Sequence, residues 1–366
     1  MFDQGPRRLG ESMQDSATTA SRPSHRTATA FEQYVSGRRG IVEGAVFFLE
    51  SGDHIEEVLH AAEPCDIVIA PVRHADPRTI AYDGSFLEPG DEITLGGRHT
   101  FELQDYVAVP FTTFAGPTVV RQFSAVGIAA FLSDADTARN SGVFVGQLLN
   151  TEVLLDSWAS SLAADLIGDS LGRVHVTRHG EYRDGPDGLL LGSVGDERAD
   201  IEATAAAGTG RGRSFAEVVD PRVLEADLDD RPWFGRYLAA LDLMRGWEGA
   251  PPRAAISGFG RHLVAVLDEG GAYPSILAAD APFLVTGDGE EYILVDRLSH
   301  RRLRLGVDSA RAAECLIATS EEFEATALLA TELGTRVSRV APLVRALQDR
   351  FAATGFDVTG YRRHGS

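Results

Sequence analysis

"SHRRLRLGVDSARAAECL" runs from Ser299 to Leu316, and its reading decides the fold of the last third of the chain. Arg302-Leu303-Arg304-Leu305 alternates with the period of a half-buried strand. Asp308 and Ser309 then open an Ala-rich run with the composition of a helix. Upstream, "APFLVTGDGEEYILVDRLSH" supplies two more short apolar strands, joined by the Gly-containing loop "GDGEE". Downstream, Thr319 followed by Glu322 has capping-box spacing, and Gly334 ends that helix. A third helix begins near Ser338, tolerates Pro342 in its first turn and stops at Gly355. Val337, Val340, Val344, Leu347 and Phe351 recur along it at helical spacing and predict one buried stripe. Three strands followed by three helices, over 281–358, describe a winged helix-turn-helix. What remains to be explained is why Arg301, Arg302 and Arg304 share one short strand in a chain of formal charge −20. A strand solvated on one face is the simplest answer.

The whole chain has 366 residues, which suggests two domains. Its 44% apolar content is enough for a sizeable core. No apolar run reaches membrane-spanning length. Residues 1–36 are rich in Ser, Thr and Arg, lack the apolar core of a signal peptide and are expected to be disordered. Cys65 and Cys315 sit apart among apolar neighbours, so buried thiols and a cytoplasmic location are expected. All 34 basic residues are Arg. From residue 281 onward 11 Arg face 12 Asp plus Glu, a net of −1, which leaves −19 for the rest. Such an acidic body disfavours nucleic acid as a partner, because nonspecific binding to it needs a basic face.

An α/β docking domain is expected over 37–200. Gly44–Leu49 reads as a strand, Ile55, Val58 and Leu59 as the face of a helix, and Asp66–Val72 as a second strand. His99–Val109, Val119–Phe131, Val174–Thr177 and Leu189–Leu191 are further strand candidates, and Gly142–Ser161 is ambiguous. Residues 201–250 read as a flexible and helical connector. Within it Trp233, Tyr237, Leu241 and Met244 form a stripe suited to packing. The C-terminal region then covers 251–366.

Several motifs invite a catalytic reading. "GTGRGRS" at Gly208–Ser214 follows a helix-like segment, whereas a phosphate loop must follow a strand and open a helix, so a linker is expected there. Arg178-His179-Gly180 resembles the signature of histidine phosphatases, in which the His is the nucleophile and the Arg clamps phosphate. That family also needs a second His, and His262 is the one candidate. His54, beside Asp53, suits a capped helix start. No His pair has metal-ligand spacing and no G-x-S-x-G elbow occurs. No catalytic constellation, metal or cofactor is therefore expected, and a noncatalytic chain is expected rather than an enzyme.

The segment "YILVDRLSHRRLRLGVDSARAAECL", with "FEATALLATELGTRVSRVAPLVRALQDRFAATGF", resembles the recognition element of ribosomal peptide natural-product pathways. The same small domain occurs in the pyrroloquinoline quinone peptide chaperone. The resemblance implies that the leader of a precursor peptide adds as an antiparallel strand beside the third strand, in a groove flanked by the third helix. It places Arg301, Arg302, Leu303, Arg304 and Leu305 on the strand side of that groove, with Arg339, Leu343, Ala346 and Arg350 on the helix side. Leu303, Leu305 and Val307 would face the helices, and Arg302 and Arg304 would face outward. The layout as a whole is similar to the recognition proteins of daptide pathways. This implies a dehydrogenase-like tailoring partner that oxidatively decarboxylates the precursor, and no membrane. A winged-helix DNA-binding regulator is the alternative.

Overall fold

Val46-Phe47-Phe48-Leu49 is buried at every position, so this strand must be covered on both faces. The computed structural model, which describes residues 23–158, 171–208, 210–246, 255–270, 273–286, 291–297, 299 and 301–356, shows by what. The first part comprises α1 (Pro23–Ser36), β1 (Val46–Leu49), α2 (Ile55–Ala61), β2 (Ile67–Ala70), β3 (Thr79–Gly84), β4 (Glu92–Leu95) and β5 (His99–Asp105). It continues through β6 (Thr118–Arg121), α3 (Ala125–Ser141), β7 (Val153–Leu155), β8 (Arg173–Val176), β9 (Glu181–Arg183), β10 (Leu190–Ser193) and α4 (Arg198–Ala207). The ten strands form one mixed sheet in the order β10-β9-β8-β1-β2-β3-β4-β5-β6-β7. β1 lies parallel to β2 and β8, and β5, β6 and β7 are mutually parallel; β4 and β9 run antiparallel to their neighbours.

The sheet is curled. Six strands separate β7 from β8 in its order. Yet Arg173, at the start of β8, donates to Ser157 Oγ, just past β7, at 3.0 Å and stands 3.7 Å from Asp156. α1 fills the concave side. Its Ala30, Phe31, Tyr34 and Val35 pack on Val46, Phe48, Ile67, Ile69 and further inward-facing side chains. The alternate residues Phe47, Leu49, Val68 and Ala70 point outward and meet α2 and α4. The strand period of two thus sorts one apolar run into two cores. Residues 23–36 therefore form a helix whose Ala30, Phe31, Tyr34 and Val35 are packed in the core, and the expectation of disorder to residue 36 fails there. Residues 1–22 lie outside the described part.

Other expectations need correction. Val119–Phe131 is not one strand, because Ser124 Oγ accepts the Gly127 N–H at 3.2 Å and opens α3. Cys65 is exposed; only Cys315 is buried. Within the flexible and helical connector expected over 201–250, the described part of the Gly-rich stretch is packed. Arg213 and Ser214 are buried, with Arg213 Nε 2.6 Å from Asp184. α5 (Pro221–Asp229) and α6 (Phe234–Arg245) follow, and Tyr237 and Leu241 of the expected packing stripe are fully buried.

The last part runs β11 (Ala255–Ile256), α7 (Val266–Gly270), α8 (Pro274–Leu277), β12 (Phe283–Thr286), β13 (Glu291–Val295), β14 (Arg302–Gly306), α9 (Val307–Thr319), α10 (Glu322–Glu332) and α11 (Val337–Thr354). An antiparallel sheet ordered β11-β12-β13-β14 has two covered faces. Leu284, Leu294 and Leu305 pack against α9, α10 and α11. Phe283, Val285 and Val295 join α3 and α6 in another core. α6 therefore seals the two sheets together. Arg236 of α6 lies 3.9 Å over the Phe283 ring and donates to the carbonyls of Ala281 at 2.9 Å and Pro282 at 3.0 Å. The chain is a mixed α/β protein with a large mixed sheet. Among the described residues no helix is long and apolar enough to cross a membrane.

Candidate functional site

β14 is the terminal strand of the second sheet, paired with β13 from Glu291↔Gly306 to Val295↔Arg302. Its alternation follows the sequence. Leu305 is 3% exposed and Leu303 half-buried against the helical core, whereas Arg302 and Arg304 are exposed. Arg302 and Arg304 stand opposite Val295 and Ile293, so they occupy the sheet face turned towards α6, not the face under α11. Val307 packs on the helical core from the start of α9.

α11 buries Val340, Val344, Leu347 and Phe351, as its spacing predicts, but Val337 is 44% exposed because it forms the first residue of the helix beyond the packed surface. Beside the buried stripe, Leu343 is half-buried, and Arg339, Ala346 and Arg350 are exposed. These four lie beside the buried stripe on the helix surface. Arg301 has a different role. Its guanidinium donates to the Thr354 carbonyl, which ties the start of β14 to the end of α11. Gly355 closes that helix with φ of +65°, and a Cβ there would run into Arg301. The start of β14 and the end of α11 are thereby joined. Arg304, Arg339 and Arg350 make no ion pair among the described residues, whereas Arg345 is held by Glu322 at 3.0 Å.

Two helix-start expectations fail locally without altering the layout. Thr319 is not an N-cap. It is the last residue of α9, and its Oγ donates to the Cys315 carbonyl at 2.9 Å. Glu321 precedes α10 without a side-chain cap, and Gly306, not Asp308 or Ser309, precedes α9.

The phosphatase-like motif does not assemble. His179 is exposed in the turn after β8, and Arg178 Nε stands 3.6 Å from Glu50, a carboxylate where a clamp would need phosphate. His175 is the buried histidine here. It hydrogen-bonds Tyr34 OH at 2.7 Å and Glu50 at 2.9 Å. His175 and the Arg178 N–H hold the Glu50 pKa down at about 2, against the cost of its burial. His262 lies elsewhere, beside Ser257 and Glu314 near the second sheet. Sequence reasoning missed that cluster. Its signal was Glu314 inside the small apolar run Ala312-Ala313-Glu314-Cys315-Leu316, where a carboxylate must find buried partners.

Fold and site together define a mixed α/β protein whose second sheet ends in a strand bordered by a helix with an apolar and basic margin. No protein-family model, no curated protein and no solved structure matches this chain.

Proposed function

We propose that this protein binds an extended peptide, the leader of a ribosomally made precursor, as an added strand on β14, and presents it to a dehydrogenase-like tailoring partner of the daptide type. In this reading the last three strands and three helices act as a winged helix-turn-helix recognition element. The chain itself is a noncatalytic subunit of the cytoplasm. The observation that carries the proposal is the terminal position of β14 beside α11. An edge strand offers backbone hydrogen bonds to any extended partner, and side chains on either hand select its sequence. Leader side chains turned towards α11 would meet Leu303, Leu343 and Ala346. Those turned the other way would meet Arg302 and Arg304. Arg339 and Arg350 border the helix side. Aliphatic residues alternating with acidic ones would suit these two walls.

The test titrates the full chain with a fluorescently labelled leader from a precursor gene adjacent to its own. Micromolar or tighter binding is expected. The double change Arg302→Glu with Arg304→Glu should weaken it about tenfold at low salt, since lost attraction and new repulsion each contribute about 0.2–1 kcal/mol per contact. Melting temperature should hardly change, because both positions are exposed. Equal affinity of the double variant at low salt would remove the basic strand from the site. Tight, steeply salt-dependent binding of random duplex DNA, with none of the leader, would make the protein a DNA-binding regulator instead.

A further inference from the structure

Away from β14, a cavity of about 710 Å³ opens between the end of α3, the loop 257–265 and the first turn of α9. This volume lies in the range of small-molecule sites. Its walls are tightly built. The Arg139 guanidinium donates to the Gly258 carbonyl, and the Gly260 N–H to the Arg139 carbonyl at 2.9 Å. Gly258 and Gly260 adopt φ of +90° and +80°, and a Cβ on Gly260 would come within 3.0 Å of the Ser141 backbone. Glu314 supports the loop from below, accepting from Ser257 Oγ and, at 2.7 Å, from the Val264 N–H.

That support holds His262 in the cavity wall with only 5% of its surface exposed. Its Nδ1 stands 3.7 Å from Glu314 and has no hydrogen-bond partner. The buried Nε of Arg311, on the same wall, has none either. Arg261 adds a second guanidinium. Asp268 supplies the carboxylate of the lining, and both its oxygens accept the His262 backbone N–H, at 3.1 and 3.2 Å. α9 begins at Gly306 without a side-chain cap, and its positive end faces this space through Val307. Ile256, Phe259 and Leu263 line the remainder with apolar surface.

We propose that this cavity binds a small organic carboxylate. The head group pairs with Arg311 at the start of α9, the apolar body lies against Ile256 and Phe259, and the imidazole of His262 hydrogen-bonds a polar substituent. An anion fits because Asp268 is already engaged with the His262 N–H and Asp308, 3.6 Å from Arg311, is an exposed side chain that a bound carboxylate can displace, which leaves two guanidiniums and a helix N-terminus for the ligand. No residue of β14 lines the cavity, so this site stands or falls independently of peptide binding.

The full chain is titrated calorimetrically with 3-phenylpropionate and with its neutral counterpart 3-phenylpropanamide. The acid should bind at millimolar concentration or below, and the amide about tenfold more weakly. Arg311→Gln should weaken the acid about tenfold. Ala265→Phe, at an exposed position of the wall, should abolish binding by filling the space while leaving the melting temperature and leader affinity unchanged. Equal binding of acid and amide, binding that survives Ala265→Phe, or no heat with the acid up to about 10 mM would overturn the proposal.

Discussion

Glu314 and His262 bury opposite titrations side by side. Burial raises the Glu314 pKa from 4.5 to about 7 and lowers that of His262 from 6.5 to about 4. Asp268 opposes the His262 shift, while Arg139 and Arg236 reinforce it. Between the two ordinary values, folded Glu314 holds a proton that the unfolded chain has released, so its contribution to stability falls as pH rises. Folded His262 lacks a proton that the unfolded chain binds, so its contribution rises with pH. The two trends largely cancel in the wild type. Glu314→Gln removes one of them, and stability should then climb from pH 4 to pH 6.5 by on the order of 3 kcal/mol. Urea unfolding across that range measures it; a pH-independent midpoint in the variant would show that His262 titrates normally. Asp156 poses a simpler case. Its carboxylate stands 2.5 Å from Arg121 and 3.7 Å from Arg173, both buried. Asp156→Asn should cost about 3–5 kcal/mol in chemical denaturation, because the two guanidiniums lose their shared anion in a dry interior.

At the scale of elements, the bond from Arg301 to Thr354 fixes where α11 ends relative to β14. Arg301→Ala should leave global stability within about 1 kcal/mol, since the site is exposed. It should speed hydrogen exchange in the last turn of α11 and weaken leader binding; unchanged exchange there would mean the tie is not held in solution. This tie was invisible in the sequence, where Arg301 looked like its neighbours Arg302 and Arg304, because a contact across 53 residues leaves no local pattern. The elements themselves were more legible. The alternation at Arg302–Leu305 and the spacing of Val340, Val344, Leu347 and Phe351 are local signals, and the strand and helix stand where they point. α1 was missed for the opposite reason. Its Ser, Thr and Arg continue the composition of residues 1–22, while Ala30, Phe31, Tyr34 and Val35, four apolar residues on one face, do the packing. β3 was missed because its burial is partial and uneven, and β4 because its alternation spans only four residues.

Across the whole molecule, the second sheet cannot be detached as readily as its sequence suggested. Phe283, Val285 and Val295 belong to the core built by α3 and α6, and Arg236 secures that junction despite a pKa lowered to about 9 by burial. A fragment of residues 281–366 should therefore expose this apolar face, bind a hydrophobic dye and melt without cooperativity, whereas the full chain should melt sharply. A cooperative melt of the fragment would show that the helical core alone sustains it. The curled first sheet sets a different constraint, on the order of events in the cell. α1 is the first described element to leave the ribosome, but the β8 side chain that donates to the Tyr34 carbonyl comes 139 residues later. At translation rates of roughly 5–20 residues per second, α1 waits roughly 7–30 s for that bond, whereas Phe48 and Phe86, which pack on Tyr34 and Phe31, emerge sooner. The first sheet therefore closes over α1 only when residues 173–176 are made, and slower synthesis of residues 37–176 lengthens the interval before that closure.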